Sequence, residues 1–478
     1  MRNLISTTVF GLALAACGGG QKSVNNGGSG GGGHVPPPPP PPTGGDPVAK
    51  APPRDISKDA RSDFKAAYDA FVDNDTKNAW NEQSCRSMAD KFASIAHDHS
   101  ELIEAQLNVA ASYLKCNMFD DAEKALQAAI HMKADAAKIA QATSDLGDIY
   151  YHQGKIDGAK QYWDTAIKAN GKLVGARVNT ASLEIEQMRK INNPKDANWQ
   201  KLQDDVKFQL SSALGVNSDS VEAYTNYGLL YLEGWQQNKN RLDLAKLLLD
   251  EAQKRNAKYA HLQNAYGLYY LHKGSLNDAL THFSAAVESD PKFVEARMNV
   301  GETVLGFRKY DVAKENFAKV LELQPKNYDA MIGLGVAERG LNDFDGAEAS
   351  FKKAKDLDGR RGEAFYNLGV LYKAFRATKV NDPDPVKGLK TSQGIYRQAS
   401  DFFKQFLDKD GDAQDKAEAK NNMADCDKVI KQMDEAIKNI QSQPAQPPPE
   451  PTPAAPPGGA APAGSPPAAG APAPAPGK

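Results

Sequence analysis

The side chains best able to do chemistry unaided are scarce: the 478-residue chain has four cysteines and eight histidines. Their tightest grouping is His97-Asp98-His99. Two imidazoles one residue apart beside a carboxylate are the donor types of a zinc site, which needs a tetrahedral set of ligands. The trio lies where a helix is expected to end, however, and helix ends favour polar residues in any case, so no metal site is read there. Cys17, Cys85, Cys116 and Cys426 form no CxxC pair, and there is no phosphate-cradling glycine loop and no nucleophile elbow. The chain therefore reads as a non-enzyme with no cofactor and no small-molecule substrate. Lys and Arg total 58 against 60 Asp and Glu, a net charge of −2. That balance lacks the basic stripe of a nucleic-acid binder.

Cys17 is the one cysteine whose neighbours specify a reaction. Arg2 supplies a positive start and Leu4 to Ala16 an apolar run with small residues at its end, the layout of an export signal. The run is too short to cross a bilayer, which takes about 20 apolar residues. Leu14-Ala15-Ala16-Cys17 resembles the lipobox of bacterial lipoproteins. That resemblance implies a diacylglycerol on the Cys17 thiol, cleavage before it and an acylated, palmitate-type amine, two or more chains being enough for stable anchoring. The competing reading is an ordinary cleaved secretory signal (1–16) followed by an incidental cysteine. Gly18, rather than Asp, follows the cysteine, which favours the outer membrane. Residues 17–55 form a tether, its Gly/Ser/Asn run a flexible coil and Pro36 to Pro42 a stiff polyproline rod of about 22 Å. A Pro/Ala/Gly-rich tail over 442–478 reads as disorder, a solubilising spacer or a ligand for aromatic grooves.

Between these segments the sequence repeats. Gly267, Gly301, Gly335 and Gly369 recur every 34 residues, in phase with Ala279, Ala313, Ala347 and with Phe283, Phe317, Phe351, while Pro291 and Pro325 close two units. Small residues let two helices approach, the aromatics fill the space between them and proline ends the second helix. This pattern resembles the tetratricopeptide repeat. The resemblance implies an all-α, right-handed superhelical solenoid of helix-turn-helix units with disordered ends, each unit burying its face only against its neighbours. Weaker units carry the register outward: a degenerate helix pair over 56–102, about eight repeats over 103–412, and a capping helix over 413–441. Insertions are expected near 192–198, 234–238 and 376–394.

In such a stack the first helix of each repeat lines a concave groove, where the family binds peptides or helices. An asparagine recurs there at Asn108, Asn179, Asn226, Asn299 and Asn367. An amide both donates and accepts, so it could bond an extended peptide backbone or bridge neighbouring repeats; both readings stand. The lysine with which chaperone-binding members clamp a terminal carboxylate is absent at the corresponding places, which hold Leu107 and Ala111, Ser144 and Asp148, Met298 and Glu302, among others. An apolar lining of Val178, Leu229, Leu268, Met298, Ile332 and Val336 suits an apolar segment or helix of a partner.

Export to an oxidising compartment makes Cys85 and Cys116 candidates for a disulfide, with Cys426 left as a buried small hydrophobe. The layout of lipobox, tether, repeats and Pro/Ala tail resembles the tetratricopeptide lipoproteins of myxobacterial adventurous gliding motility. It implies an outer-membrane lipoprotein facing the periplasm, a scaffold that docks other envelope or motility proteins in its groove and meets the membrane through its lipid. Two alternatives remain open: a pilotin-like lipoprotein assisting type IV pilus secretin assembly, and a regulator of cell-wall synthesis enzymes.

Overall fold

The computed structural model describes residues 56–77, 79–409 and 413–442. The lipobox with Cys17, the tether and the Pro/Ala tail lie outside them. The described residues form nineteen α-helices, with no strand among them. Helices α1 (Lys58–Thr76) and α2 (Glu82–Asp98) come first. Eight helix pairs follow: α3 (Ile103–Leu114) with α4 (Phe119–Ile130), α5 (Ala136–His152) with α6 (Ile156–Ala169), α7 (Val174–Ile191) with α8 (Ala197–Val216), and α9 (Val221–Leu232) with α10 (Asn240–Arg255). The series continues through α11 (Ala260–Lys273) with α12 (Leu276–Ser289), α13 (Val294–Gly306) with α14 (Tyr310–Leu323), α15 (Tyr328–Gly340) with α16 (Phe344–Leu357), and α17 (Glu363–Leu371) with α18 (Pro385–Leu407). Helix α19 (Ala413–Ser442) packs on α18.

Each pair closes on one contact between a small residue and a large one. A Cβ at Gly267 would stand 2.3 Å from the Phe283 ring, and one at Gly335 2.5 Å from Phe351. Gly147 meets Trp163 and Gly369 meets Phe403 in the same way. These large rings are fully buried, so the glycine is what lets the first helix lie directly on the aromatic of the second. The turn between the two helices is equally regular. Asn117, Gly154, Gly274, Arg308 and Asn342 occupy one register position, and all five have positive φ. Each ends its helix with the paired bonds that satisfy orphan carbonyls, as where Lys309 donates to Val304 O at 3.0 Å and Arg308 to Leu305 O at 3.0 Å. The link to the next repeat is set by an Asx turn: the side chains of Asn170, Asn217, Asn256, Asp290 and Asp358 each accept from the backbone N–H two residues on.

The extra residues do not all make loops. Those near 192–198 lengthen α7 and α8 to 18 and 20 residues, leaving only 192–196 between them. Those near 376–394 are absorbed into a π-helical turn at Tyr372–Arg376, a 3-10 turn and a 23-residue α18 that Asp384 caps. Cys85 of α2 and Cys116, just after α3, are joined in a disulfide. Cys426 in α19 is buried, and that burial pushes its thiol up to about 11.

Candidate partner-binding groove

The first helices of the pairs stand side by side, α7 against α9, α9 against α11, α13 against α15 and α15 against α17. Their second helices cover one side of this row, leaving the other as a groove. The asparagines sit at its seams. Asn179 of α7 donates to Asp148 of α5 at 2.7 Å, and Ser182 of α7 donates to Asn226 of α9 at 2.7 Å. Asn299 of α13 donates to Asn264 of α11 at 2.8 Å, and Asn367 of α17 accepts from Arg339 of α15 at 3.2 Å. Asn226 and Asn367 also donate to backbone carbonyls of their own helices, as does Asn108 to Glu104 O at 2.8 Å. Asn179, Asn226, Asn299 and Asn367 are all buried. Asn179, Asn226, Asn299 and Asn367 thus bridge neighbouring repeats, while Asn108 bonds a carbonyl of its own helix.

The apolar residues read as a lining are placed similarly. Leu229, Leu268, Ile332 and Val336 are 2–5 % exposed and join the core through neighbouring helices, with Met298 half-buried against them. Leu229, Leu268 and Val336 directly follow the pairing glycines, and Met298 and Ile332 stand three residues before theirs.

The same row of first helices also carries buried and half-buried carboxyls. Asp145 and Asp148 lie one turn apart on α5, and Glu295 and Glu302 two turns apart on α13. Burial raises the Asp145 carboxyl to about 6. Burial and the neighbouring Asp145 raise Asp148 to about 8, against hydrogen bonds from Trp163 and Asn179 that oppose the rise. Burial likewise raises Glu295 to about 8, with Asp290 and Glu186 adding repulsion, and Glu302 to about 8, with Asp329 adding to it. The histidines of the same face are held neutral: burial depresses His261 and His272 to about 4 and lowers His152. Sequence reasoning reaches Asp148 and Glu302 only as residues standing where a clamp lysine would be, and misses Asp145 and Glu295; the available signal is acidic residues at fixed offsets from the pairing glycines.

The His97-Asp98-His99 trio divides its partners. His97 contacts Asp98 at 3.0 Å, while His99 faces Asp63 at 3.6 Å. Among the described residues no group of three or more His, Cys, Asp or Glu is placed to hold a metal ion, and no helix is long and apolar enough to cross a membrane.

A stacked row of helix pairs with this small-on-large register defines a class, the helical repeat scaffolds. The tetratricopeptide repeat family model matches residues 110–179, 236–293 and 301–364 of the chain. Similar solved structures include a thermophilic tetratricopeptide repeat protein of Thermus thermophilus, 22 % identical over 41 % of this chain and 98 % of that one, with a TM-score of 0.36. Yeast Tom70 is 17 % identical over 72 % of this chain and 68 % of its own, with a TM-score of 0.39. Pseudomonas aeruginosa pilF is 15 % identical over 51 % and 98 %, with a TM-score of 0.36. No curated protein matches the chain.

Proposed function

We propose that the protein is a non-enzymatic scaffold, lipid-anchored through Cys17 to the outer membrane and facing the periplasm, which docks envelope partners of a gliding motility machine in its groove. The observation that carries the docking reading is the row of first helices whose outer face no second helix covers, joined across its seams by Asn179, Asn226, Asn299 and Asn367. A rigid floor of this kind presents a long surface without ordering cost when a partner binds. The Cys85–Cys116 disulfide supports a place outside the cytoplasm, because thiols there persist as disulfides whereas cytosolic ones are kept reduced. The anchor rests on the lipobox-like run before Cys17.

Two experiments test the parts separately. Crosslinking of the protein in its own envelope should join partner proteins to groove residues; attachment confined to the second helices or to α1 and α2 would overturn the docking reading. Deletion of the gene should abolish single-cell gliding with pili intact. Loss of secretin multimers or altered cell-wall composition would each assign the scaffold elsewhere.

A further inference from the structure

The groove carries acids that the fold itself leaves without a counter-charge. Glu295, on the first turn of α13, is 6 % exposed, and its Oε2 has no hydrogen-bond partner. Glu302, on the same helix, makes neither a hydrogen bond nor an ion pair among the described residues. On α5, Asp145 accepts only from Gln141 at 2.8 Å, while both donors to Asp148, Trp163 and Asn179, use its Oδ1. No cation reaches either aspartate. The Oδ1 of Asn179 is also buried without a partner.

On or beside other first helices, α7, α9 and α15, the chain pairs its acids. Glu186 is met by Lys190 at 3.0 Å, Glu233 by Arg189 at 2.7 Å and Asp329 by Arg361 at 2.6 Å. The unpaired set is therefore local rather than general. The superhelix also brings the two helices near one another: Tyr151 of α5 and Glu186 of α7 act electrostatically with Glu295 of α13, four repeats further along the chain from α5.

We propose that this stretch of groove takes a lysine- or arginine-bearing segment of a partner protein, its cationic side chains supplying the counter-charges of Glu295, Glu302, Asp145 and Asp148. The proposal rests on the reading of the groove as the docking face and adds the chemistry of what docks. The orphan atoms Glu295 Oε2 and Asn179 Oδ1 are oxygens that can accept, and the carboxyls beside them are acceptors alone once ionised. Ammonium and guanidinium groups carry donors and no acceptor, so they complement such a set completely. A terminal carboxylate brings no donor for these acceptors, and a wholly apolar helix would strand the carboxyls away from water with nothing in exchange. Burial raises the carboxyls of Asp148, Glu295 and Glu302, and a cation seated beside them favours the ionised form.

The test screens short labelled peptides for binding to the full chain, each lysine- or arginine-bearing peptide being paired with its norleucine or citrulline counterpart. Cationic peptides should be the ones that bind, should weaken as salt is raised, and should lose about tenfold in affinity, equivalent to about 1.4 kcal/mol, on removal of their charge. Glu295→Gln with Glu302→Gln should cost a similar factor, and Asp145→Asn should weaken the same peptides from α5. Equal binding by the neutral counterparts, still weakened by the groove substitutions, would sink the cationic proposal and leave the docking face standing. Peptides indifferent to every groove substitution would sink both.

Discussion

At the scale of single residues, two positions are held in states their side chains resist. Arg308 takes φ 57° in the turn after α13, where sister repeats place Gly154, Gly274, Asn117 and Asn342. A left-handed conformation costs a residue with a Cβ about 1–2 kcal/mol, and glycine almost nothing. Arg308 is exposed, so replacing it loses little packing, and Arg308→Gly should raise stability by about 1 kcal/mol in urea unfolding. A variant no more stable than the parent would mean that the Arg308 side chain makes a compensating contribution. Glu295 is the second case. Its carboxyl is raised to about 8 by burial, whereas an unfolded glutamate titrates near 4.3. The folded state then holds the extra proton between those values, so stability falls as pH rises through that window and is fully present only below it. Glu295→Gln removes the dependence. It should leave the unfolding free energy unchanged near pH 4 and raise it at pH 8, by at least the worth of one pKa unit, about 1.4 kcal/mol, read in urea unfolding at the two pH values. A difference that does not grow with pH would show that the carboxyl is solvated in the groove.

At the scale of elements, the phase-locked residues of the sequence are those that make the helix pairs. Gly267 against Phe283 and Gly301 against Phe317 are contacts within one unit, so a 34-residue step displays them directly. Contacts between units are less legible. The five asparagines show a period but not its cause, since an amide at a given offset serves a ligand or a neighbouring helix equally well; only the distances to Asp148, Ser182, Asn264 and Arg339 separate the two. The Asx turns at Asn170, Asn217, Asn256, Asp290 and Asp358 are visible as periodic Asn and Asp, but the period alone does not tell a turn from a surface position. Leu229 and Ile332 look like lining because helical periodicity identifies a face and not how closely the next helix covers it. The disulfide is an element-scale feature too, tying α2 to the end of α3 across 31 residues. Chain-entropy arguments give about 3–4 kcal/mol for closing a loop of that size. Cys85→Ala with Cys116→Ala should lower stability by about that much, read as earlier amide exchange in α1 to α4. Unaltered exchange there would mean that packing of Phe92 and Ile103 alone holds the pair.

At the scale of the whole molecule, the buried residues fall into successive clusters along the chain rather than around one centre. One runs from Ala67 to Leu183, a second from Val178 to Leu371 and a third from Phe365 to Cys426, with a small fourth at Ala260, Ala286, Phe293 and Ala296. The three long clusters meet at α7 and around α17, Tyr372 and Phe402, and in such a stack stability is close to a sum of unit and interface contributions. Damage at one end should then stay there. Phe403, fully buried between Gly369 and the helices of the last pair, is the point at which to test this, because a Phe→Ala change in a packed core costs about 3–5 kcal/mol. Phe403→Ala should expose α17, α18 and α19 to fast amide exchange while α3 to α8 keep their protection, and Trp163→Ala should produce the reverse pattern. Such locality also matters for the groove. Glu295 and Asp145 stand on helices four repeats apart, so the spacing of the two acidic walls is the accumulated angle of every interface between them, and a loosened repeat in the middle, at Leu249 for example, should weaken cationic binding without touching either wall. Uniform loss of protection from end to end in the Phe403 variant would show instead that the stack unfolds as one cooperative unit, and the walls would then be fixed by the whole solenoid and not by the repeats between them.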